Sequence, residues 1–204
     1  PGGVYARAPG RAQGAGMVHL RHFEGRLSWS PVILKGDAMN PATLKALGQF
    51  PQQLEAFYDA IPHEYKLWAP PSWEGIPSET FTALEQVCHV RDIEIEGYRV
   101  RFRRALDEEN PFLPSIDSYA LAKERDYGAT SASEALEAFR EARARTVELI
   151  SGLEAHELAR PAVFEGYGKV TVQGLVHYLC SHDQQHLSGL QWLLGKIAAE
   201  RNVA

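Results

Sequence analysis

Two histidines one helical turn apart are the sequence feature that points most directly to chemistry. His182 and His186 enclose the tripeptide Asp-Gln-Gln, and residues i and i+4 of an α-helix lie on the same face. Leu175, Leu179 and Leu193 fall within about 60° of that direction, so both imidazoles are predicted to face the interior. Two inward imidazoles can bind one metal ion, or each can be hydrogen-bonded within the core. The spacing alone leaves both interpretations open.

A third histidine, His89, stands among carboxylates in an earlier segment. Glu85 precedes it by four residues, and Asp92 and Glu96 follow it by three and seven residues. In a helix these spacings put all four side chains on one side. A carboxylate often orients a metal-bound imidazole, so Asp92 or Glu96 could orient His89 or move a proton. The alternative is a solvated acidic stripe that carries one histidine.

Arg143 lies inside the apolar stripe of a later segment. Its direction falls between those of Leu136 and Val147, so its guanidinium is predicted to be buried and to need an anion. Asp92 or Glu96 could supply that anion, or a carboxylate or phosphate of a substrate could supply it.

Four helices must position these residues, and each has a start signal. The first follows an Asn-Pro pair, which fits an N-cap and a first helical residue, and the third opens with a Ser-x-x-Glu capping box. No strand has enough length or alternation to be predicted. The predicted N-caps are Asn40, Ser78, Ser131 and Thr171.

These helices predict an all-α fold, a four-helix bundle. Residues 107–130 join the second and third helices and are long enough to return to the starting end, so those two helices should run parallel. Residues 1–39 are predicted to be a flexible tail and an N-terminal arm, because residues 1–16 are mostly Gly, Ala, Pro and Arg. Residues 40–204 are predicted to form the bundle.

Composition and charge exclude several classes of protein. The 204 residues carry a net charge of −5, which argues against a nucleic-acid partner. No stretch is apolar enough for a membrane span or a signal peptide, so a cytoplasmic location without membrane attachment is expected. The two cysteines, Cys88 and Cys180, cannot form a disulfide framework and are predicted to have core roles.

Three motifs resemble the DinB-like (DinB/YfiT) superfamily of metal-binding four-helix bundles, over residues 44–196. They are the tryptophan turn Pro-Ser-Trp-Glu-Gly-Ile-Pro-Ser at 71–78, the segment His-Val-Arg-Asp-Ile-Glu at 89–94, and Gly-Lys-Val-Thr at 168–171 leading to His-Asp-x-x-His-Leu at 182–187. The resemblance implies an up-down-down-up topology and a homodimer. It also implies that His89, His182 and His186 bind a divalent metal, with zinc expected first and nickel or iron as alternatives.

The resemblance also suggests a function, because some relatives are thiol-dependent transferases, isomerases or hydrolases. Three neutral imidazoles leave at least one position open on an ion. We therefore expect a metal-dependent transferase or hydrolase with a small-molecule substrate, in which Asp92, Glu96 and Arg143 assist. One alternative is a non-catalytic dimeric bundle whose metal stabilises the fold or senses metal availability. A third interpretation is a metal-free core in which the histidines only form hydrogen bonds.

Overall fold

The computed structural model describes residues 39–201, which form seven α-helices and a small sheet. Apart from Met39, the predicted tail and arm lie outside the described residues. The helices are α1 (Pro41–Ala60), α2 (Ala83–Asp92), α3 (Arg99–Asp107), α4 (Ser118–Glu124), α5 (Ala132–Ser151), α6 (Ala155–Leu158) and α7 (Val172–Arg201). The strands are β1 (Phe112–Leu113), β2 (Pro161–Phe164) and β3 (Gly168–Thr171).

The predicted four-helix bundle is confirmed. A π-helical segment, Ile93–Tyr98, joins α2 to α3, so that these elements form one long helix. The helices α1 and α2 each pack against both α5 and α7. Two clusters of buried apolar side chains fill the space between them. Within residues 39–201, no helix is both long and apolar enough to cross a membrane. The direction of the crossover between the second and third long helices stays a prediction.

Three of the four predicted N-caps are confirmed by hydrogen bonds. The side chains of Asn40, Ser131 and Thr171 accept hydrogen bonds from the backbone N–H groups of residues 42, 134 and 174. The prediction for Ser78 was wrong, because Thr82 caps α2 in a capping box with Glu85. The hydroxyl of Ser78 instead accepts a hydrogen bond from the side chain of Gln86 on α2.

The π-helical segment changes which carboxylate faces the core. Its i→i+5 hydrogen bonds put more residues into each turn than an α-helix does. As a result Glu94 is buried, whereas the side chain of Glu96 is 44% exposed. The prediction that Glu96 lies on the same side of the helix as His89 assumed a regular α-helix, which the π-helical segment interrupts.

The prediction that the chain has no significant β-strand was also wrong. β2 and β3 form an antiparallel hairpin, and β1 pairs with β2 in parallel. The hairpin turn lies where the sequence is Gly-Tyr-Gly, and Gly166 and Gly168 both have positive φ values, of 81° and 78°. Each strand has two to four residues, which is too short for an alternating pattern to be recognised.

One glycine of α7 permits a close approach to α2. A Cβ atom on Gly189 would lie 2.8 Å from Nε2 of Gln86 and would also contact Oγ of Ser78. Glycine is therefore required here by space. Gly195, six residues further along α7, has nothing within 4 Å of its hypothetical Cβ.

These two glycines predict opposite effects of the same substitution. Gly189→Ala should lower the free energy of unfolding by about 1–3 kcal/mol, because the methyl group overpacks the α2–α7 contact. Gly195→Ala should raise it by up to about 1 kcal/mol through helix propensity. Urea denaturation of both variants measures this, and a stabilising Gly189→Ala would contradict the close approach.

Candidate metal centre

Three imidazoles from two helices converge on one point in the bundle. Nε2 of His182 lies 3.1 Å from Nε2 of His89 and 3.2 Å from Nε2 of His186. One nitrogen from each ring can be chosen so that all three lie within 4.8 Å of one another. His89 and His186 are buried, and His182 is partly exposed. The structure thus brings together the three histidines that were singled out in the sequence.

The ring of His186 is held in one tautomer. Gln86 uses its Nε2 to donate hydrogen bonds to Oγ of Ser78 and to the carbonyl oxygen of Phe81, at 2.9 and 3.4 Å. The carbonyl oxygen of Phe81 can only accept, so the amide nitrogen of Gln86 must face it. Oε1 of Gln86 is then the atom that faces Nδ1 of His186. Nδ1 therefore carries the proton, and the lone pair of Nε2 points to the centre of the cluster.

Burial keeps the three imidazoles uncharged at neutral pH. It lowers the pKa of His89 to about 4 and the pKa of His182 and His186 well below the ordinary value, and the neighbouring imidazoles lower the latter two further. Neutral imidazole is the form that binds metals. Nδ1 of His89 is buried and has no hydrogen-bond partner among residues 39–201.

The donor set fits a divalent transition-metal ion. Two ligand atoms 2.1 Å from a tetrahedral zinc lie about 3.4 Å apart, close to the spacing of these nitrogens. Three imidazoles suit zinc, nickel, iron or copper and do not suit magnesium or calcium. His89, His182 and His186 are the residues that would hold such an ion.

A carboxylate that sequence reasoning did not single out lies beside the histidines. Oε1 of Glu79 is 3.7 Å from Nε2 of His89, and its Oε2 is 3.5 Å from Nε2 of His186. The Glu79 side chain is 31% exposed, and burial raises its pKa. Glu79 lies before α2, whereas the predicted N-cap Ser78 would have made it the first residue of the helix, so helical spacing could not place it correctly.

Asp92 does not orient His89 in the way the sequence suggested. Its carboxylate accepts hydrogen bonds from Nε of Arg91 and from the Tyr127 hydroxyl, at 2.6 and 2.8 Å, and pairs with Arg125 at 2.9 Å. Burial alone would raise the pKa of Asp92, but these donors lower it overall. Asp92 lies three residues after His89 and is near enough to reach it. Its carboxylate instead binds Arg91, Arg125 and Tyr127.

Glu96 also lies away from the three histidines. It forms an ion pair with Arg125 at 2.6 Å, on the outer side of the π-helical segment. Among the described residues, no hydrogen bond links Glu96 to His89. Sequence reasoning placed Glu96 on the side of His89 because it assumed α-helical geometry through this segment.

Arg143 is buried, as predicted, but its partners differ from the predicted ones. It binds Glu94 at 2.9 Å and Asp183 at 2.6 Å, and Nη1 also donates to the carbonyl oxygen of Leu47 at 3.3 Å. Thr146 donates a further hydrogen bond to Glu94. All five N–H donors of the guanidinium are used. No donor is left for a substrate anion, so Arg143 ties α5 to α7 and the π-helical segment.

Among residues 39–201, the other three histidines and both cysteines lie outside the cluster. His63, His156 and His177 are exposed. Cys88 is buried, and burial raises the pKa of its thiol to about 11, which makes it a poor nucleophile. Cys180 is half-buried.

The fold is a four-helix bundle, and its three histidines form a cluster of the kind that binds metal ions. Comparison with known proteins gives the family of the chain. The family model of the DinB superfamily matches residues 42–189, so the chain belongs to that superfamily. No curated protein matches the sequence.

A solved structure with the same fold is YfiT from Bacillus subtilis. It matches with a TM-score of 0.67 at 20% sequence identity, over 77% of this chain and 86% of that chain. YfiT is described as a probable metal-dependent hydrolase with an unusual four-helix bundle topology. At this identity the likeness establishes the fold.

The tautomer argument predicts a role for Gln86 in metal affinity. Gln86→Leu should lower the zinc affinity by about 10–100-fold, because His186 loses the acceptor that fixes its protonated nitrogen. Gln184→Leu, on the exposed side of α7, is the matched control. Competition with a chromophoric chelator measures both affinities. Equal affinities would show that Gln86 does not orient the ligand.

The buried ion cluster predicts a large effect on stability. Arg143→Met should lower the free energy of unfolding by about 3–5 kcal/mol, since it leaves two buried carboxylates without their cation. Arg145→Met breaks an exposed pair with Glu141 and should change stability by less than about 1 kcal/mol. Urea denaturation compares the two, and equal effects would contradict the structural role of Arg143.

Proposed function

We propose that this protein is a divalent-metal-dependent hydrolase or transferase whose ion is held by His89, His182 and His186. The observation that carries the proposal is the convergence of three neutral imidazole nitrogens from α2 and α7. Membership of the DinB superfamily and the description of YfiT as a probable metal-dependent hydrolase support it.

The chain contributes a water-poor site with one accessible side. When bound, a divalent ion lowers the pKa of a water molecule or thiol, or polarises a carbonyl group. The ring of Phe81 lies 5.3 Å from that of His89, and the ring of Tyr98 lies 6.1 Å from that of His182. These aromatic rings exclude water from two sides. His182 is the partly exposed histidine of the three, so we expect a small molecule to approach the centre from its side.

Which nucleophile is activated decides between the two reaction types. With water the reaction is hydrolysis, and with a thiol it is transfer of an electrophilic group to sulfur. Zinc is the ion we expect first, with nickel or iron as alternatives. A homodimer, a cytoplasmic location and a small-molecule substrate remain predictions.

Cobalt substitution tests whether the centre has a position for a substrate. The Co²⁺-loaded protein should bind 2-mercaptoethanol with a new sulfur-to-cobalt absorption band, because a catalytic site keeps an exchangeable position. His182→Ala should show neither the cobalt spectrum nor the new band. If the wild-type cobalt spectrum does not respond to any small thiol or anion, the site is closed and the ion is structural.

A further inference from the structure

We infer that Glu79 is a fourth protein ligand of the ion held by the three histidines. The inference rests on the proposed function, since it assigns one more residue to the same centre. Glu79 does not belong to the histidine motifs of α2 and α7.

The position of the Glu79 carboxylate is the first argument. Its two oxygens lie 3.7 Å from Nε2 of His89 and 3.5 Å from Nε2 of His186. Ligand atoms that share a tetrahedral zinc lie about 3.4 Å apart. The carboxylate thus lies against two of the three nitrogens at nearly the separation that a shared ion requires.

The second argument is electrostatic. The Nε2 lone pair of His186 faces the Glu79 carboxylate, because Gln86 holds the proton on Nδ1. Two electron-rich groups that face each other are stabilised when a cation lies between them. A divalent ion at the histidine cluster supplies that cation.

The third argument comes from comparison with the nearby carboxylates. Asp92 accepts from Arg91 and Tyr127, and Glu85 accepts from the Thr82 backbone and hydroxyl. In residues 39–201 the Glu79 carboxylate receives a hydrogen bond from its own backbone N–H and none from another side chain, and its other close polar neighbours are the two imidazoles. Glu79 is therefore the carboxylate of this region that no other side chain occupies as a donor.

The backbone around Glu79 holds it in place. Its carbonyl oxygen accepts hydrogen bonds from the Phe81 N–H at 2.8 Å and from the Ser78 hydroxyl at 3.2 Å. Ser78 in turn accepts from Gln86, which also binds His186. The segment that carries Glu79 and the ligand on α7 are thus joined through one network.

A fourth ligand changes the chemistry of the centre. One carboxylate lowers the net charge of a divalent centre from +2 to +1 and completes a set of three nitrogens and one oxygen. The three histidines and Glu79 would hold the ion, which would supply the activation of a water molecule or thiol.

Glu79→Gln tests the inference, because the amide keeps the size of the side chain and removes its charge. Glu74→Gln, an exposed glutamate of the same segment, is the matched control. Zinc affinity is measured by competition with a chromophoric chelator, and the visible spectrum of the Co²⁺-loaded protein is recorded. Melting temperatures of the metal-free forms check that both variants fold.

The inference predicts a loss of affinity in Glu79→Gln of more than about 100-fold, beyond the 10–100-fold usual for a residue that only supports a ligand. It also predicts a changed cobalt spectrum, with both readouts unchanged in Glu74→Gln. A cobalt spectrum like that of the wild type overturns the inference, whatever the affinity, and leaves the three-histidine centre standing. If the wild-type protein binds neither zinc nor cobalt, the proposed function fails as well.

Discussion

Three imidazole nitrogens that face one another inside an apolar bundle are the constraint on which the rest of the structure depends. The rings of His89, His182 and His186 are uncharged at neutral pH because burial lowers their pKa. Each buried polar atom without a partner destabilises the fold by about 1–3 kcal/mol. Because Nε2 of His186 carries a lone pair, the contacts among the three Nε2 atoms of a metal-free core leave at least one lone pair without a full hydrogen bond, whereas one divalent ion binds all three. The physical argument therefore favours a metal centre over a purely structural cluster.

The architecture around the histidines keeps α2 and α7 in register. Gly189 removes the side chain that would separate the two helices, and Gln86 occupies that space and reaches His186. Arg143 joins Glu94 of the π-helical segment to Asp183, the residue next to His182. The sequence left either an internal carboxylate or a substrate anion as the partner of Arg143, and its donors are fully used by internal groups of this cluster. Its contribution to function is therefore positional, through the helix that carries two of the three histidines.

The parts of the structure that could be predicted from sequence depend on residues within one helical turn. Ser131 caps α5 by accepting a hydrogen bond from the backbone N–H of Glu134, three residues later. The i, i+4 spacing of His182 and His186 places both rings on one face of any helix that contains them. Within the π-helical segment Glu94 binds Arg143 and Thr146 of α5, and no local pattern marks these distant partners. Glu79 lies between the predicted helix start at Ser78 and the observed one at Thr82, so only the folded chain brings it to the histidines. The short strands lack the length that an alternating pattern needs.

Elemental analysis of the purified protein tests the central claim most directly. The wild type should contain about one equivalent of a divalent transition metal, and chelation should lower its melting temperature, because binding to the folded state stabilises it. His89→Ala and His182→Ala, prepared in parallel, should contain no metal and should melt at temperatures that a chelator does not change. A wild-type protein that holds no ion after loading with zinc, nickel or iron would contradict the account, as would full metal content in both variants.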